Sequence, residues 1–256
     1  MAVLVCRRWR EAALSPCLWS WVSLRIDSTN LGSIPRILQS RWMGMVKKMR
    51  IFAMTEELLL ELTMCEGFRS ITFQRPVCDI STFDPGLLAS LIAHSEEVFL
   101  YQNPLTAQQS ESIFNAIAGD SKLKTLKIES TSLRQLDPDL VARAVTSLEE
   151  AHMSHKDLTL EQIEAIFERI MEGETRLKRL HISGNNLAMV EPTLMASAIS
   201  MLEKVELGSC LTNQQAGSLF SLLRSNFSKL RMLHIFGTDL CLVDPQVMSR
   251  SELKIP

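Results

Sequence analysis

Two kinds of helix start alternate along this chain, and that alternation limits what it can fold into. One start is a threonine followed three residues later by a glutamine: Thr106 with Gln109, Thr159 with Gln162, Thr212 with Gln215, each pair 53 residues after the last. In such a capping box the threonine oxygen accepts from the third helical N–H while the glutamine reaches back to the threonine N–H. Each box leads into an apolar pair, Ile113-Phe114, Ile166-Phe167 or Leu219-Phe220. The second start is an acid before a proline: Asp84-Pro85, Asp137-Pro138, Glu191-Pro192 and Asp244-Pro245, with the prolines 53, 54 and 53 residues apart. Pro35, 50 residues before Pro85, reads as an earlier member. Proline suits the first helical position, where no backbone donor is needed. The acid caps the orphan N–H groups and meets the positive end of the helix dipole. A period of this length implies stacked units, each burying apolar surface that its neighbour leaves open.

Between the helix starts a six-residue pattern of spaced apolar residues recurs. Its clearest copies begin at Leu123, Leu148, Leu177, Leu202 and Leu230, and weaker ones at Trp21, Val46, Phe68 and Ser95. From Val46 onward the spacings are 22, 27, 28, 25, 29, 25 and 28 residues. Within a copy, alternating apolar residues such as Leu126 and Ile128 predict a short strand with one buried face. At helical spacing, Ile163, Ile166, Phe167 and Ile170 predict one apolar helical face. Asn103 and Asn185 follow two of the strands, with Cys210 at the corresponding place in a third; such an asparagine can hydrogen-bond backbone groups in a turn. Strand plus helix at this spacing resembles the ribonuclease-inhibitor class of leucine-rich repeat. The resemblance implies an α/β solenoid over residues 21–256, about nine units in alternating long and short form, with a curved parallel sheet on the concave side and helices on the convex side. The last unit is short and lacks a polar cap, which suggests truncation at the C-terminus.

In this register, residues between the apolar strand positions form ladders on the concave face. The middle ladder reads Arg50, Thr72, Phe99, Lys127, His152, His181, Glu206, His234, and the next reads Phe52, Gln74, Tyr101, Glu129, Ser154, Ser183, Gly208, Phe236. Phe52, Phe99, Tyr101 and Phe236 are candidate partner-binding anchors, or side chains packed locally. Lys127, His152, His181, Glu206 and His234 complete the candidate partner-binding set. His152 and His181 are expected to be ladder neighbours. No third ligand for a metal is evident beside them, so solvated or partner-facing histidines are the expectation.

Charge and composition set the N-terminus apart. Residues 1–50 carry nine Lys/Arg against two Asp/Glu, whereas the whole chain has a net charge of −2. All four tryptophans, Trp9, Trp19, Trp21 and Trp42, fall there too. The stretch VCRRWREAALSPCLWSWVSL starts as an amphipathic helix, stops at Ser15-Pro16 and continues as a bulky apolar cluster. One reading is a cap over the open end of the stack. The stretch also resembles the C-terminal half of an F-box through Val5, Cys6, Arg7, Trp9, Arg10, Pro16, Leu18 and Trp19. That resemblance implies contact with the SKP adaptor of cullin–RING ubiquitin ligases through Val5, Cys6, Trp9, Pro16, Leu18 and Trp19. It covers only the first twenty or so residues. The Leu-Pro opening and first helices of an F-box do not precede Met1, which suggests truncation at this end as well. Residues 1–20 are thus a partial F-box or cap, and 21–256 the repeat module.

Several function classes are disfavoured. No P-loop or dinucleotide-binding glycine motif occurs, and His152-Met153-Ser154-His155 matches no zinc motif or catalytic triad. The pair Glu149-Glu150 reads as a solvated face. No enzyme activity, cofactor or metal is expected. The six scattered cysteines read as reduced thiols of the cytosol or nucleus. No apolar run is long enough for a membrane span, and the acidic repeat body argues against nucleic acid. Two functions stay open: a substrate-recognition subunit of an SCF-type ubiquitin ligase holding an unknown protein target on its concave face, and a repeat scaffold or inhibitor without that link.

Overall fold

The structure is a computed structural model, and it describes residues 23–26, 48–64, 68–74, 79–101, 103–129, 133–154, 158–173, 175–183, 187–208, 211–223 and 228–236. The expected partial F-box or cap of residues 1–20, with Val5, Cys6, Trp9, Pro16, Leu18 and Trp19, lies outside the described residues. So do Pro35, His155, Asn185, Cys210 and Asp244-Pro245. The described residues are α/β, with nine strands and seven α-helices among them. They fall into two compact units. The first runs to Ala116 and takes in Asp120–Leu123; the second holds Ile117–Gly119 and everything from Lys124 onward.

In the first unit β1 (Ser23–Ile26), β2 (Lys48–Ile51), β3 (Ser70–Gln74) and β4 (Glu97–Tyr101) pair in chain order, all parallel. Helix α1 (Glu56–Thr63) follows β2 and packs against α2 (Pro85–Ala93); α3 (Ala107–Ala118) follows β4. In the second unit β5 (Thr125–Glu129), β6 (Glu150–Ser154), β7 (Arg179–Ser183), β8 (Lys204–Gly208) and β9 (Met232–Ile235) again pair in parallel and in order. Helices α4 (Pro138–Ser147), α5 (Leu160–Met171), α6 (Pro192–Ser200) and α7 (Asn213–Leu223) alternate with them, each packed against the next. A parallel pair needs a crossover connection, and the intervening helix supplies it.

Both helix starts form as the residue chemistry dictates. Asp84 Oδ1 accepts from Leu87 N at 2.8 Å and Asp137 Oδ1 from Leu140 N at 3.0 Å, each with proline in the first helical turn. Glu191 does the same for Thr193 N and Leu194 N of α6. At Thr159, Gln162 N donates to the threonine oxygen at 3.2 Å and Thr159 N donates to Gln162 Oε1 at 3.0 Å. Thr106–Gln109 and Thr212–Gln215 repeat the arrangement.

The glutamines do more than cap. Gln162 Nε2 donates to the carbonyls of Leu133 and Leu136, at 2.8 and 2.7 Å, in the turn that precedes α4. Gln109 holds Ile80 and Phe83 in the same way, and Gln215 holds Leu187 and Val190. All three glutamines are fully buried. A buried amide costs little only when its hydrogen bonds are made, and both Nε2 hydrogens are used here. The core around them comes from alternating strand residues such as Leu126, Ile128, Leu180 and Ile182, and from the expected helix face of Ile163, Ile166, Phe167 and Ile170, all fully or nearly buried. Asn103 departs from a purely local role: its Nδ2 donates to Tyr101 O at 2.8 Å and across to Phe73 O of β3 at 3.1 Å.

Candidate functional site

From β1 to β8 one face of each strand is buried, and the residues of the opposite face line up by register. In the first unit Arg25, Arg50, Thr72 and Phe99 stand side by side, and Gln74 pairs with Tyr101. The Arg25 guanidinium lies over the Phe52 ring at 4.3 Å, a cation–π contact. Phe99 and Tyr101 stack on one another with ring centroids 5.9 Å apart. Three of the aromatic candidates therefore have local ring or cation contacts as well as exposed area.

The second unit carries a denser arrangement. Lys127, His152, His181, Glu206 and His234 occupy consecutive register positions from β5 to β9. Beside them run Thr125, Glu150, Arg179, Lys204 and Met232. Two glutamates organise the group. Glu150 accepts from His152 Nε2 at 2.5 Å and forms ion pairs with Lys127 Nζ at 3.3 Å and Arg179 Nε at 2.7 Å. Glu206 accepts from His181 Nδ1 and Lys204 Nζ, both at 2.7 Å, with His234 Nδ1 at 3.7 Å. The imidazoles of His152 and His181 stack with centroids 5.2 Å apart, joining the two halves. At the β9 end, exposed Phe236 meets His234 edge-on at 6.1 Å.

Burial by itself would raise the Glu150 carboxyl. The His152 hydrogen bond and the charges of Lys127, His152 and Arg179 outweigh it and hold the carboxyl below its ordinary value. Glu206 is lowered in the same way, with burial overcome by its bonds to Lys204 and His181. For His152 burial wins. Desolvation, together with the nearby Lys127 charge and His181, pushes the imidazole below its ordinary value despite the Glu150 hydrogen bond. His152 is thus neutral near pH 7, donating from Nε2 and leaving Nδ1 as an acceptor.

Glu150 is where the expectation of a solvated carboxylate pair fails. Glu149 is half-buried and meets Lys178 at 3.3 Å at the strand entrance. Glu150, the next residue, points to the ladder face and meets one imidazole and two cations, because successive side chains in a strand face opposite ways. Arg179 and Lys204 were likewise outside the predicted ladders; they sit one strand position pair earlier, and only the alternation of residues along β7 and β8 signals them.

No protein-family model matches the chain, and no curated protein is similar to it.

The arrangement presents cationic donors at its more exposed edge. Neither His152 nor His181 has a hydroxyl or thiol as a hydrogen-bond partner among the described residues, so the nucleophile–base pairing of acyl transfer is not formed there. Among the described residues no three His, Cys, Asp or Glu side chains are grouped to hold a metal ion. A cleft of about 330 Å³ between Glu149, Arg176, Lys178, Glu203 and Lys229 lies where strands begin and helices end. Gly173, with φ +82, turns the chain there after α5. No helix among the described residues is long and apolar enough to cross a membrane.

Proposed function

We propose that the chain is an F-box leucine-rich-repeat protein: a solenoid whose concave ladder face holds a protein target and whose N-terminal stretch engages the SKP adaptor of a cullin–RING ubiquitin ligase. The observation that carries this reading is the run Val5-Cys6-Arg7-x-Trp9, then Pro16-x-Leu18-Trp19, leading directly into the first strand. Parallel strand–helix units in chain order support the repeat part, and the half-exposed face of donors and aromatics supports protein recognition. The chain performs no chemistry itself. It works by proximity, raising the effective concentration of target lysines near the ligase.

The test is reconstitution with purified SKP adaptor, read by size-exclusion chromatography. A stable complex is expected. Trp9→Ala and Val5→Asp should each weaken it about tenfold or more, as losses of buried apolar anchors do. A folded chain that forms no complex overturns the ligase reading and leaves a scaffold or inhibitor built on the same repeats.

A further inference from the structure

The geometry points to an acidic segment of a partner protein as the ligand of the half-exposed face of β5–β9, bound more tightly as the histidines on that face take up protons. The inference rests on the proposed use of this face for protein recognition and adds the ligand's chemistry and the sign of its pH dependence.

The charges on this face are sorted by depth. The carboxylate-bearing side chains of Glu150 and Glu206 are only 15% and 17% exposed, whereas Arg179 is 51% and Lys204 36% exposed. A partner therefore meets cations first. The glutamates are also occupied. Both oxygens of each already meet charged or imidazole donors, so an approaching cation would have to displace one. A carboxylate needs only the donors left over. Arg179 pairs with Glu150 through Nε, and with its side chain 51% exposed a partner carboxylate can reach the terminal nitrogens. Lys204 has N–H groups to spare beyond its single bond to Glu206.

Protonation tips the balance further. Three permanent cations, Lys127, Arg179 and Lys204, stand against the carboxylates of Glu150 and Glu206 and, by its register position on β5, Glu129. Charging His152, His181 and His234 doubles the cations and leaves the carboxylates unchanged. His152 faces Glu150 on its own strand, Lys127 on β5 and His181 on β7. His181 faces Glu206 on β8, which His234 also approaches from β9. Two imidazolium rings 5.2 Å apart repel, and an anion beside them relieves that repulsion. Ligand binding and proton uptake thus favour one another. A nucleic acid is the less fitting polyanion, because its affinity grows with the number of phosphates neutralised, and the chain offers three permanent cations on this face within a net charge of −2.

The experiment uses the full chain and a tetramethylrhodamine-labelled peptide of alternating aspartate and glycine, followed by fluorescence anisotropy at constant ionic strength. Saturable binding is expected, with Kd falling about tenfold between about pH 7.5 and about pH 5.5. The H152Q/H181Q double variant should lose most of that pH dependence, whatever its affinity at pH 7.5. The R179Q/K204Q variant should weaken binding about tenfold or more at both pH values. No saturable binding, an unchanged Kd across the range for the unaltered chain, equal binding of a lysine–glycine peptide, or tighter binding of a single-stranded oligonucleotide would each overturn the inference. The unaltered chain's pH titration needs no substitution, so a variant that misfolds does not rescue the idea. A chain that binds the SKP adaptor and not the peptide overturns this inference alone; one that binds the peptide and not the adaptor supports it and overturns only the ligase reading.

Discussion

Gln162 shows how one side chain serves two places in the chain. It closes the cap of α5 and, through Nε2, satisfies two carbonyls 29 and 26 residues earlier. Gln162→Ala would orphan both buried carbonyls and the Thr159 N–H, and should lower stability by about 2–4 kcal/mol, read as a shift in the urea midpoint. Thr159→Ala removes only the local half of the cap and should cost about 1 kcal/mol. A Gln162 loss no greater than the Thr159 loss would mean the carbonyl clamp is energetically idle. The capping role was legible because it depends on residues three apart. The reach to Leu133 and Leu136 was not, because nothing local to Gln162 says which turn lies beneath it.

His152 makes a pH prediction of definite sign. Its folded-state value is depressed below the ordinary 6.5. The unfolded chain therefore takes up a proton that the folded chain resists, and stability falls as pH drops below about 6.5. Glu150 and Glu206, also depressed, add stability above their ordinary 4.5 that is lost as pH falls further, through their folded values. Urea midpoints measured from pH 7.5 downward should decline in both ranges, and His152→Gln should flatten the upper one. An unaltered upper slope in that variant would assign it to another group. Bound acidic peptide should reverse the upper trend, because it favours the charged imidazole.

Among elements, α5 carries the clearest link from pattern to packing. Ile163, Ile166, Phe167 and Ile170 repeat at helical spacing and are all fully buried. Phe167→Ala should cost about 3–5 kcal/mol. Since α5 packs against α4 and α6, hydrogen exchange should quicken in those helices more than in β9. Equal loss of protection throughout the second unit would show that it opens only as a whole. Helix starts such as Pro138 and Thr159 were readable to the residue because capping chemistry is local. Strand partners were readable too, since the apolar period fixes which face each residue takes. What the pattern did not convey was the second row of the ladder face. Glu150 sits in a pair of acids that looked solvated, and only the parallel register brings Arg179 and Lys127 to it.

For the molecule as a whole, the glutamine clamps set the step in which such a chain can be shortened or lengthened. Each clamp spans one acid–proline half and one threonine–glutamine half, so the smallest exchangeable piece is the pair. Removing Thr159–Leu211, 53 residues, would bring Thr212 next to Leu158 and set Gln215 opposite the Leu133 and Leu136 carbonyls that Gln162 now holds. The seam is already complementary, and the shortened chain is expected to unfold in a single cooperative step. Cutting out one half alone would set an acid–proline start over those carbonyls, and the broadened transition of that chain would report the mismatch. Duplication and loss in an ancestral gene would then proceed by even numbers of units, with odd numbers filtered out at the level of folding.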